Sequence, residues 1–250
     1  MRQVPTNKSY LIIGDGRLAQ HLHHYLSSFH YPIKTWTRKK SQPLKSLLQQ
    51  SDLILLAISD DAIEDFYLQN ELQGKTCIHF SGKFYHPEIL GFHPLMTFSH
   101  KLYDCDFYKK INFVGDQPIE TFQQIFPQFE NSYYQIKKEQ KNIYHALCTL
   151  SGNGTTLLWD VITKELQNLN IPKEALVPYL LKVFENILLG ESGRFTGPWY
   201  RNDKTTTSSH LEVLNNTNLE ELYKSFYHLS KSVQPLSGAM SEKHSATTSL

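Results

Sequence analysis

The chain has 250 residues, with 25 basic and 24 acidic side chains and a formal net charge of +1. A chain of this length buries a substantial core without disulfides or metals, and its balanced charge excludes the broad basic surface of a protein that binds nucleic acid or an anionic membrane. The three cysteines, Cys77, Cys105 and Cys148, form no C-x-x-C pair and have no zinc-type spacing. We therefore expect neither a metal site nor a disulfide framework.

The N-terminus has no signal-type apolar run, and the longest apolar run, residues 53–58, is far too short to span a bilayer. Few cysteines are typical of a protein in a reducing compartment. We therefore expect a cytoplasmic protein whose partners are small molecules rather than nucleic acid or membrane.

The first predicted strand, residues 10–13, runs into a glycine-rich turn. Gly14 and Gly16 are followed by Ala19, where a helical pattern has already begun, which is the G-x-G-x-x-A variant of the dinucleotide-binding fingerprint. Gly14 would allow the tight turn, Gly16 would let the backbone approach a pyrophosphate, and Ala19 would let helix and strand pack closely. The helix N-terminus would hold the anion. The predicted cofactor contacts in this turn are Gly14, Asp15, Gly16, Arg17 and Leu18.

The second predicted strand, residues 33–36, ends in the basic sequence Thr37-Arg38-Lys39-Lys40. A fold that prefers NAD would place an acidic residue here, to accept hydrogen bonds from the ribose hydroxyls. A guanidinium can instead hold a 2′-phosphate in charge-assisted bonds. We therefore predict NADP(H) as the cofactor, with Thr37, Arg38 and Lys39 among its contacts. The alternative interpretation is a solvated basic loop.

Two further predicted strands would end at the same edge of the sheet. Residues 53–58 form a continuous apolar run typical of a strand buried on both faces, and residues 75–80 follow as another strand. Ligands of open α/β sheets bind beyond the carboxyl ends of the strands. One of Asp60 and Asp61 is expected to cap the next helix. The predicted cofactor contacts at this edge are Ala57, Ile58, Ser59 and Ser81.

The rest of the chain falls into two parts. Extended residues 91–98 and two strands at 111–115 and 133–136, which flank a helix over 120–126, continue the strand–helix alternation. Beyond about Lys137 the pattern is helical; the helices are predicted over residues 142–159, 173–189 and 219–233. The predicted fold is α/β, with an N-terminal Rossmann-type parallel-sheet domain (1–137) followed by an all-helical C-terminal domain (138–250) whose tail from about residue 237 is poorly ordered.

Several motifs occur together in an order that resembles a known family. They are residues 14–16, 56–63, 79–82 and 92–98, Tyr144-His145-Ala146 with Asn153, and Thr196-Gly197-Pro198 with Arg201, Asp203 and His210. In these motifs the chain is similar to Rossmann-like NADP-dependent reductases that carry a DUF2520 C-terminal domain. The chain departs from the family pattern at Met96, where members have glutamine, and at Trp199, Tyr200 and Asn202, which replace smaller residues.

The resemblance implies an architecture similar to pyrroline-5-carboxylate reductases and coenzyme F420-dependent NADP oxidoreductases. Some members act as an alternative ketopantoate reductase. It also implies a homodimer through the helical domain, with small-molecule substrates.

Hydride transfer to a ketone builds negative charge on the carbonyl oxygen, and a group with a pKa near neutrality is suited to neutralise it. His145, at the start of the long predicted helix, is the first candidate, and Asn153 about two turns later could hold the carbonyl. His93 is a further catalytic candidate. For His93 and His145 a structural role stays open, as does the choice between them and His79.

An α-keto acid also needs a partner for its carboxylate. Arg201 can bind a carboxylate with two parallel bonds, in its own subunit or in a neighbouring one. Thr196 and Ser81 complete the predicted substrate-binding set.

The leading hypothesis is an NADPH-dependent reductase of a small keto acid, with ketopantoate (2-dehydropantoate) as the favoured substrate, which would give pantoate for pantothenate synthesis. The alternatives are an imine reductase of the pyrroline-5-carboxylate type and a non-catalytic NADP-binding sensor or partner protein.

Overall fold

A computed structural model describes residues 8–39, 43–189 and 196–233. In these residues seven strands form one sheet in the order β2-β1-β3-β4-β5-β6-β7, in which all neighbours are parallel except β5 and β6. The strands are β1 Tyr10–Ile13, β2 Ile33–Trp36, β3 Leu53–Leu56, β4 Thr76–His79, β5 Ile89–Pro94, β6 Phe113–Gly115 and β7 Tyr133–Gln135. The predicted Rossmann-type α/β domain is confirmed.

Helices connect the strands and make up the described chain after β7. The α-helices are α1 Arg17–Ser27, α2 Leu44–Gln49, α3 Ile63–Gln69, α4 Cys105–Tyr108, α5 Ile119–Ile125, α6 Lys141–Cys148, α7 Thr155–Asn168, α8 Val177–Leu188, α9 Lys204–Leu214 and α10 Glu220–Val233. A π-helical segment, Thr149–Gly154, joins α6 to α7, and Asp60–Ala62 forms a 3₁₀ turn before α3. None of the described helices is both long and apolar enough to cross a membrane.

The chain divides into two compact units, Met1–Val161 and Ile162–Leu250. The first unit therefore holds the sheet together with α6, the π-helical segment and the first half of α7. A domain boundary at residue 137 stays a prediction.

The two faces of the sheet are covered by separate apolar layers. In β1, Tyr10 and Ile12 pack into one layer while Leu11 and Ile13 pack into the other, because successive side chains of a strand point to opposite faces. The strand β3 alternates in the same way, and both strands are buried along their whole length. This burial confirms the expectation drawn from the continuous apolar run at residues 53–58.

Two of the described elements differ from the sequence-based expectation, α9 and the strand β5. Helix α9, Lys204–Leu214, was not predicted, because its run of Thr and Ser has only a weak apolar stripe. Its start is marked by Asp203, whose carboxylate accepts a hydrogen bond of 3.0 Å from the Thr206 N–H. The strand over 91–98 is Ile89–Pro94 instead, and it ends at the proline. The predicted tail from about residue 237 lies outside the described residues.

We expect Gly115→Ala to lower the free energy of unfolding by about 1–3 kcal/mol or more. A Cβ at Gly115 would lie 2.1 Å from the Gly91 carbonyl oxygen on the neighbouring strand and 2.8 Å from the Tyr133 hydroxyl. Gly152→Ala is the control, because no atom lies within 4 Å of its Cβ position. Urea denaturation measures both variants. Equal stabilities for the two would contradict this account of the packing.

Candidate active site

The glycine-rich turn is built against the end of β3. Gly14 has a φ of +127°, and a Cβ on it would lie 2.3 Å from the Ala57 carbonyl oxygen, so only glycine fits. Gly16 is the N-cap of α1, and its Cβ position has no atom within 4 Å. Ala19 is buried against the sheet. The first N–H groups of an 11-residue helix therefore lie beside open space, which suits an anion such as a pyrophosphate.

An open cleft of about 1250 Å³ begins at this turn and lies wholly within the first unit. Its walls are the glycine turn, the end of β3, the chain after β5, and helical residues from α6 to α7. This volume exceeds that of an ordinary small-ligand pocket and suits a larger ligand. The predicted site residues that line the cleft are Gly14, Asp15, Gly16, Arg17, Leu18, Arg38, Ala57, Ile58, Ser59, His93, His145 and Asn153.

The basic loop after β2 divides between two cavities. Arg38 lines the main cleft, whereas Thr37 and Lys39 line a neighbouring cavity of about 590 Å³ beside Gly14 and Asp15. The Lys39 ammonium lies 3.2 Å from an oxygen of the Asp15 carboxylate. Because both of these side chains are exposed, their pairing adds little to stability. The predicted cofactor contacts of Thr37 and Lys39 stay predictions.

The remaining predicted site residues lie elsewhere. The Ser81 hydroxyl is buried and accepts hydrogen bonds from the N–H groups of Lys83 (3.3 Å) and Phe84 (3.0 Å), so it shapes the turn after β4. Thr196 and Arg201 belong to the second unit and are exposed. The predicted ligand contacts of Ser81, Thr196 and Arg201 stay predictions.

Two imidazoles meet over Gly82. A Cβ on this glycine would lie 2.6 Å from Cδ2 of His145 and 3.3 Å from Cδ2 of His93. The two rings are nearly perpendicular, with centroids 6.0 Å apart. The absence of a side chain at Gly82 therefore lets a residue of α6 and a residue of β5 approach each other at the wall of the cleft.

Tyr144 fixes the orientation of His93. Its hydroxyl lies 2.7 Å from Nδ1 of His93, within hydrogen-bonding distance. Burial, followed by the charges of His145 and Lys141, lowers the pKa of His93 to about 4, and Asp60 opposes this shift. Burial also raises the pKa of Tyr144, so its phenol keeps its proton. His93 is therefore a neutral imidazole in a defined hydrogen bond.

A group of buried ionisable side chains lies beneath this pair. Lys141, the first residue of α6, is 2% exposed, and its ammonium lies 3.8 Å from the Asp116 carboxylate. His79, at the end of β4, is 1% exposed, and its Nδ1 accepts a hydrogen bond of 3.2 Å from the Ser81 N–H. Burial, with a smaller contribution from the charge of Lys141, lowers the pKa of His79 to about 3.

Sequence reasoning did not assign roles to Tyr144, Lys141 or Asp116. Lysine on a helix is ordinarily exposed, so nothing in its type suggested burial. The spacing was the one available signal, because Lys141 precedes Tyr144 and His145 by one helical turn and therefore shares their face.

The helix that carries His145 and Asn153 changes geometry between them. Gly152 and Gly154 lie in the π-helical segment Thr149–Gly154, where glycine lets the helix change its geometry. The hydroxyl of Thr149 donates a hydrogen bond of 3.0 Å to the His145 carbonyl, and the hydroxyl of Thr156 donates one of 2.9 Å to the Gly152 carbonyl. The segment places Asn153 on the cleft wall.

The expectation that Asp60 or Asp61 caps a helix was wrong. The N-cap positions are Ser59 for the 3₁₀ turn and Ala62 for α3, and neither makes a side-chain capping bond. The Asp61 carboxylate lies 3.8 Å from the Lys83 ammonium at the surface. The charge of Asp60 instead acts on His93 and on Lys141, so this carboxylate belongs to the electrostatics of the cleft.

Several solved structures share this fold. A provisionally assigned NADP oxidoreductase from Bacteroides fragilis is 20% identical, with a TM-score of 0.72 over 91% of this chain and 99% of that one. The pyrroline carboxylate reductase of Plasmodium falciparum, solved with NADP bound, is 13% identical, with a TM-score of 0.59 over 91% and 97%. A Streptomyces aurantiacus imine reductase is 11% identical, with a TM-score of 0.63 over 90% and 94%. The chain has the fold of the Rossmann-type NADP-dependent reductases.

The C-terminal part carries a recognised domain. Residues 114–229 match the family model described as "Domain of unknown function (DUF2520)", so the chain contains a DUF2520 domain, as its motifs indicated. The match begins in β6 and ends in α10. A comparison with curated protein sequences finds no significant match.

We expect the free energy of unfolding to fall less steeply with acidity in His79→Asn than in the unchanged protein. His79 has a folded-state pKa of about 3, against an ordinary value of 6.5. Below pH 6.5 the unfolded chain binds a proton that the folded chain does not, so stability is lost as the pH falls from 6.5 toward 3. One such proton changes the slope by about 1.4 kcal/mol per pH unit.

Asparagine at this position keeps an acceptor for the Ser81 N–H. Denaturant titrations between pH 8 and pH 5 measure the two slopes. Parallel slopes over this range would contradict the burial of a neutral His79.

Proposed function

We propose that the protein is an NADPH-dependent reductase of a small keto acid. One observation carries this proposal: the paired imidazoles of His93 and His145 line the same cleft as the glycine turn that suits a pyrophosphate. A cleft that joins an anion site to a pair of imidazoles provides for a dinucleotide at one end and for proton transfer at the other.

The residues present fit a dinucleotide. The N-terminus of α1 would hold the pyrophosphate, residues 57–59 at the end of β3 would follow the cofactor, and Arg38 would bind the 2′-phosphate. Gly16 leaves the space that the pyrophosphate needs, because a Cβ there would project into the open cleft. Bound NADPH would supply the hydride.

Side chains of the protein would donate the proton that the reaction needs and would orient the substrate. His145 is half-buried on the cleft wall and would donate a proton to the developing alkoxide. Asn153, on the same wall, would orient the carbonyl. His93 would act as a neutral hydrogen-bonding group, because its pKa of about 4 keeps it uncharged at neutral pH.

We propose two candidate substrates, in order of preference. Ketopantoate is the favoured keto acid, because the sequence motifs resemble those of the DUF2520-type reductases, some of which reduce ketopantoate. Arg201, Thr196 and Ser81 are the proposed contacts of this substrate. A cyclic imine of the pyrroline-5-carboxylate type is the second candidate, supported by the fold that the chain shares with pyrroline carboxylate and imine reductases. Imine reduction builds no oxyanion, so it would depend less on His145.

We also propose that two copies of the chain associate through the second unit. On α8 the apolar side chains of Val177, Leu181, Phe184 and Leu188 are exposed and follow one another at spacings of four, three and four residues. This spacing forms a single stripe that fits against another helix. Sedimentation of the full chain at several concentrations measures the association.

We expect Arg38→Gln to weaken NADPH binding at least tenfold and to leave NADH binding within about twofold. A charge-assisted hydrogen bond contributes about 1.5–3 kcal/mol, and only NADPH carries the 2′-phosphate. Lys45→Gln, which removes a charge from the exposed face of α2, is the control. Fluorescence titration with each cofactor measures the constants. Equal losses for both cofactors would count against a 2′-phosphate contact.

We expect His145→Ala to lower the turnover of ketopantoate by a factor of about 10² to 10⁴ while NADPH binding stays within about threefold. The assay follows NADPH absorbance with a panel of keto acids and cyclic imines. His100→Ala, an exposed loop histidine, is the control. Turnover of cyclic imines alone would select the imine reductase. NADPH binding without turnover of any panel member, in protein shown to be folded, would favour an NADP-binding sensor.

Arg201→Ala in the same assay tests the proposed carboxylate contact. Its expected effect is a KM for the keto acid raised at least tenfold with the NADPH constant unchanged. An unchanged KM would remove Arg201 from the substrate site.

A further inference from the structure

The proposed reaction leaves one buried ionic group without a role. The Lys141 ammonium and the Asp116 carboxylate lie 3.8 Å apart, with only 2% and 7% of their side chains exposed. The Oδ1 atom of Asp116 has no hydrogen-bond partner. A buried ion pair seldom stabilises a fold enough to offset the desolvation of its two charges. Well-packed apolar residues of similar volume often give equal or greater stability.

The position of this pair is set by a second glycine. A Cβ on Gly91 would lie 3.0 Å from the Lys141 ammonium and 2.8 Å from Nε2 of His79. The ammonium and the imidazole therefore share the space that Gly91 leaves open on β5. Two residues further along the same strand, and on the same face, is His93.

The contacts continue along α6. Lys141 is one helical turn before Tyr144 and His145, which contact His93 and Gly82 respectively. Successive turns of the helix thus meet successive positions of the sheet: Lys141 at Gly91, then Tyr144 at His93.

The charges around His93 favour its neutral form. The groups that face it are Tyr144 and His145 from α6, Lys141 at the start of that helix, His79 from β4, and the Asp60 carboxylate after β3. Asp60 alone favours a positive imidazole. Burial, the charge of His145 and the charge of Lys141 all oppose it. Burial lowers the pKa of Lys141 itself, whereas the carboxylates of Asp116 and Asp60 favour its charged form.

We propose that Lys141 is a positioning residue: its ammonium, held by Asp116 beneath Gly91, fixes the first turn of α6 on the sheet and keeps His93 an uncharged partner of Tyr144, so that His145 is the imidazole that exchanges a proton with the substrate. The final clause rests on the proposed function. The statements about His93 and Lys141 do not.

The first test measures His93 itself, in the full chain without cofactor or substrate. The ring ¹³Cε1–H signal is followed by NMR from pH 8 to pH 4 in the unchanged protein, Lys141→Arg and Lys141→Met. We expect His93 to titrate at least about one pH unit higher in Lys141→Met, and to stay within about 0.3 units of the unchanged protein in Lys141→Arg. Identical titrations in all three proteins would overturn the proposal.

A double variant keeps the test decisive if Lys141→Met does not fold. Lys141→Met leaves the Asp116 carboxylate buried without its partner, whereas Lys141→Met with Asp116→Asn removes both charges at nearly constant volume. The expected shift of His93 is again upward in the double variant, but smaller, because the negative charge of Asp116 is removed together with the positive charge of Lys141. A folded double variant with an unshifted His93 would show that the pair has only a structural role.

The second test concerns the proton. With a substrate that is turned over, the pH dependence of kcat/KM is expected to be lost in His145→Gln and to persist in His93→Asn. The reverse result would overturn the assignment of the proton to His145. If no substrate of the panel is turned over, the proposed function fails, while the NMR titration still decides the role of Lys141.

Discussion

The close approach of α6 to the ends of β4 and β5 is the constraint on which the candidate site depends. Two glycines permit it: Gly82, where a Cβ would lie 2.6 Å from the ring of His145, and Gly91, where a Cβ would lie 3.0 Å from the ammonium of Lys141. A larger residue at Gly82 would push against the imidazole ring of His145, and a larger residue at Gly91 would push against the ring of His79 and the ammonium of Lys141. Glycine at these positions therefore sets the geometry of the imidazole pair, and the neutral state of His93 follows from the burial that this packing produces.

A second close approach, between the glycine turn and the end of β3, positions the anion-binding end of the cleft. Gly14 lets the turn after β1 lie against the end of β3, and the N-terminus of α1 is thereby directed at open space. Both close approaches occur within the unit Met1–Val161, which also contains the whole of the cleft. The anion site and the imidazole pair are thus held by one sheet, and their separation is set by the strand order.

The sequence predicted the sheet well for a physical reason. Buried parallel strands form continuous apolar runs between turn residues, so β1 has the predicted bounds and β3 lies within the apolar run predicted as a strand. The cleft lining formed by the glycine turn and the end of β3 followed from the rule for ligand positions in open sheets. Helix α9 was missed because a run of Thr and Ser has little apolar periodicity. The roles of Lys141, Tyr144 and Asp60 could not be predicted, because they depend on which groups of distant segments meet after packing.

The central claim is that a nicotinamide lies beside His145. Cross-relaxation in NMR between the nicotinamide ring protons of bound NADP⁺ and the histidine ring protons tests it directly, with His145→Ala to assign the signals. We expect transfer from the nicotinamide H4 proton to the ring of His145, and loss of that transfer in the variant. Tight binding with no transfer to His145 or His93 would contradict it, because the nicotinamide would then lie outside the cleft wall that these residues form.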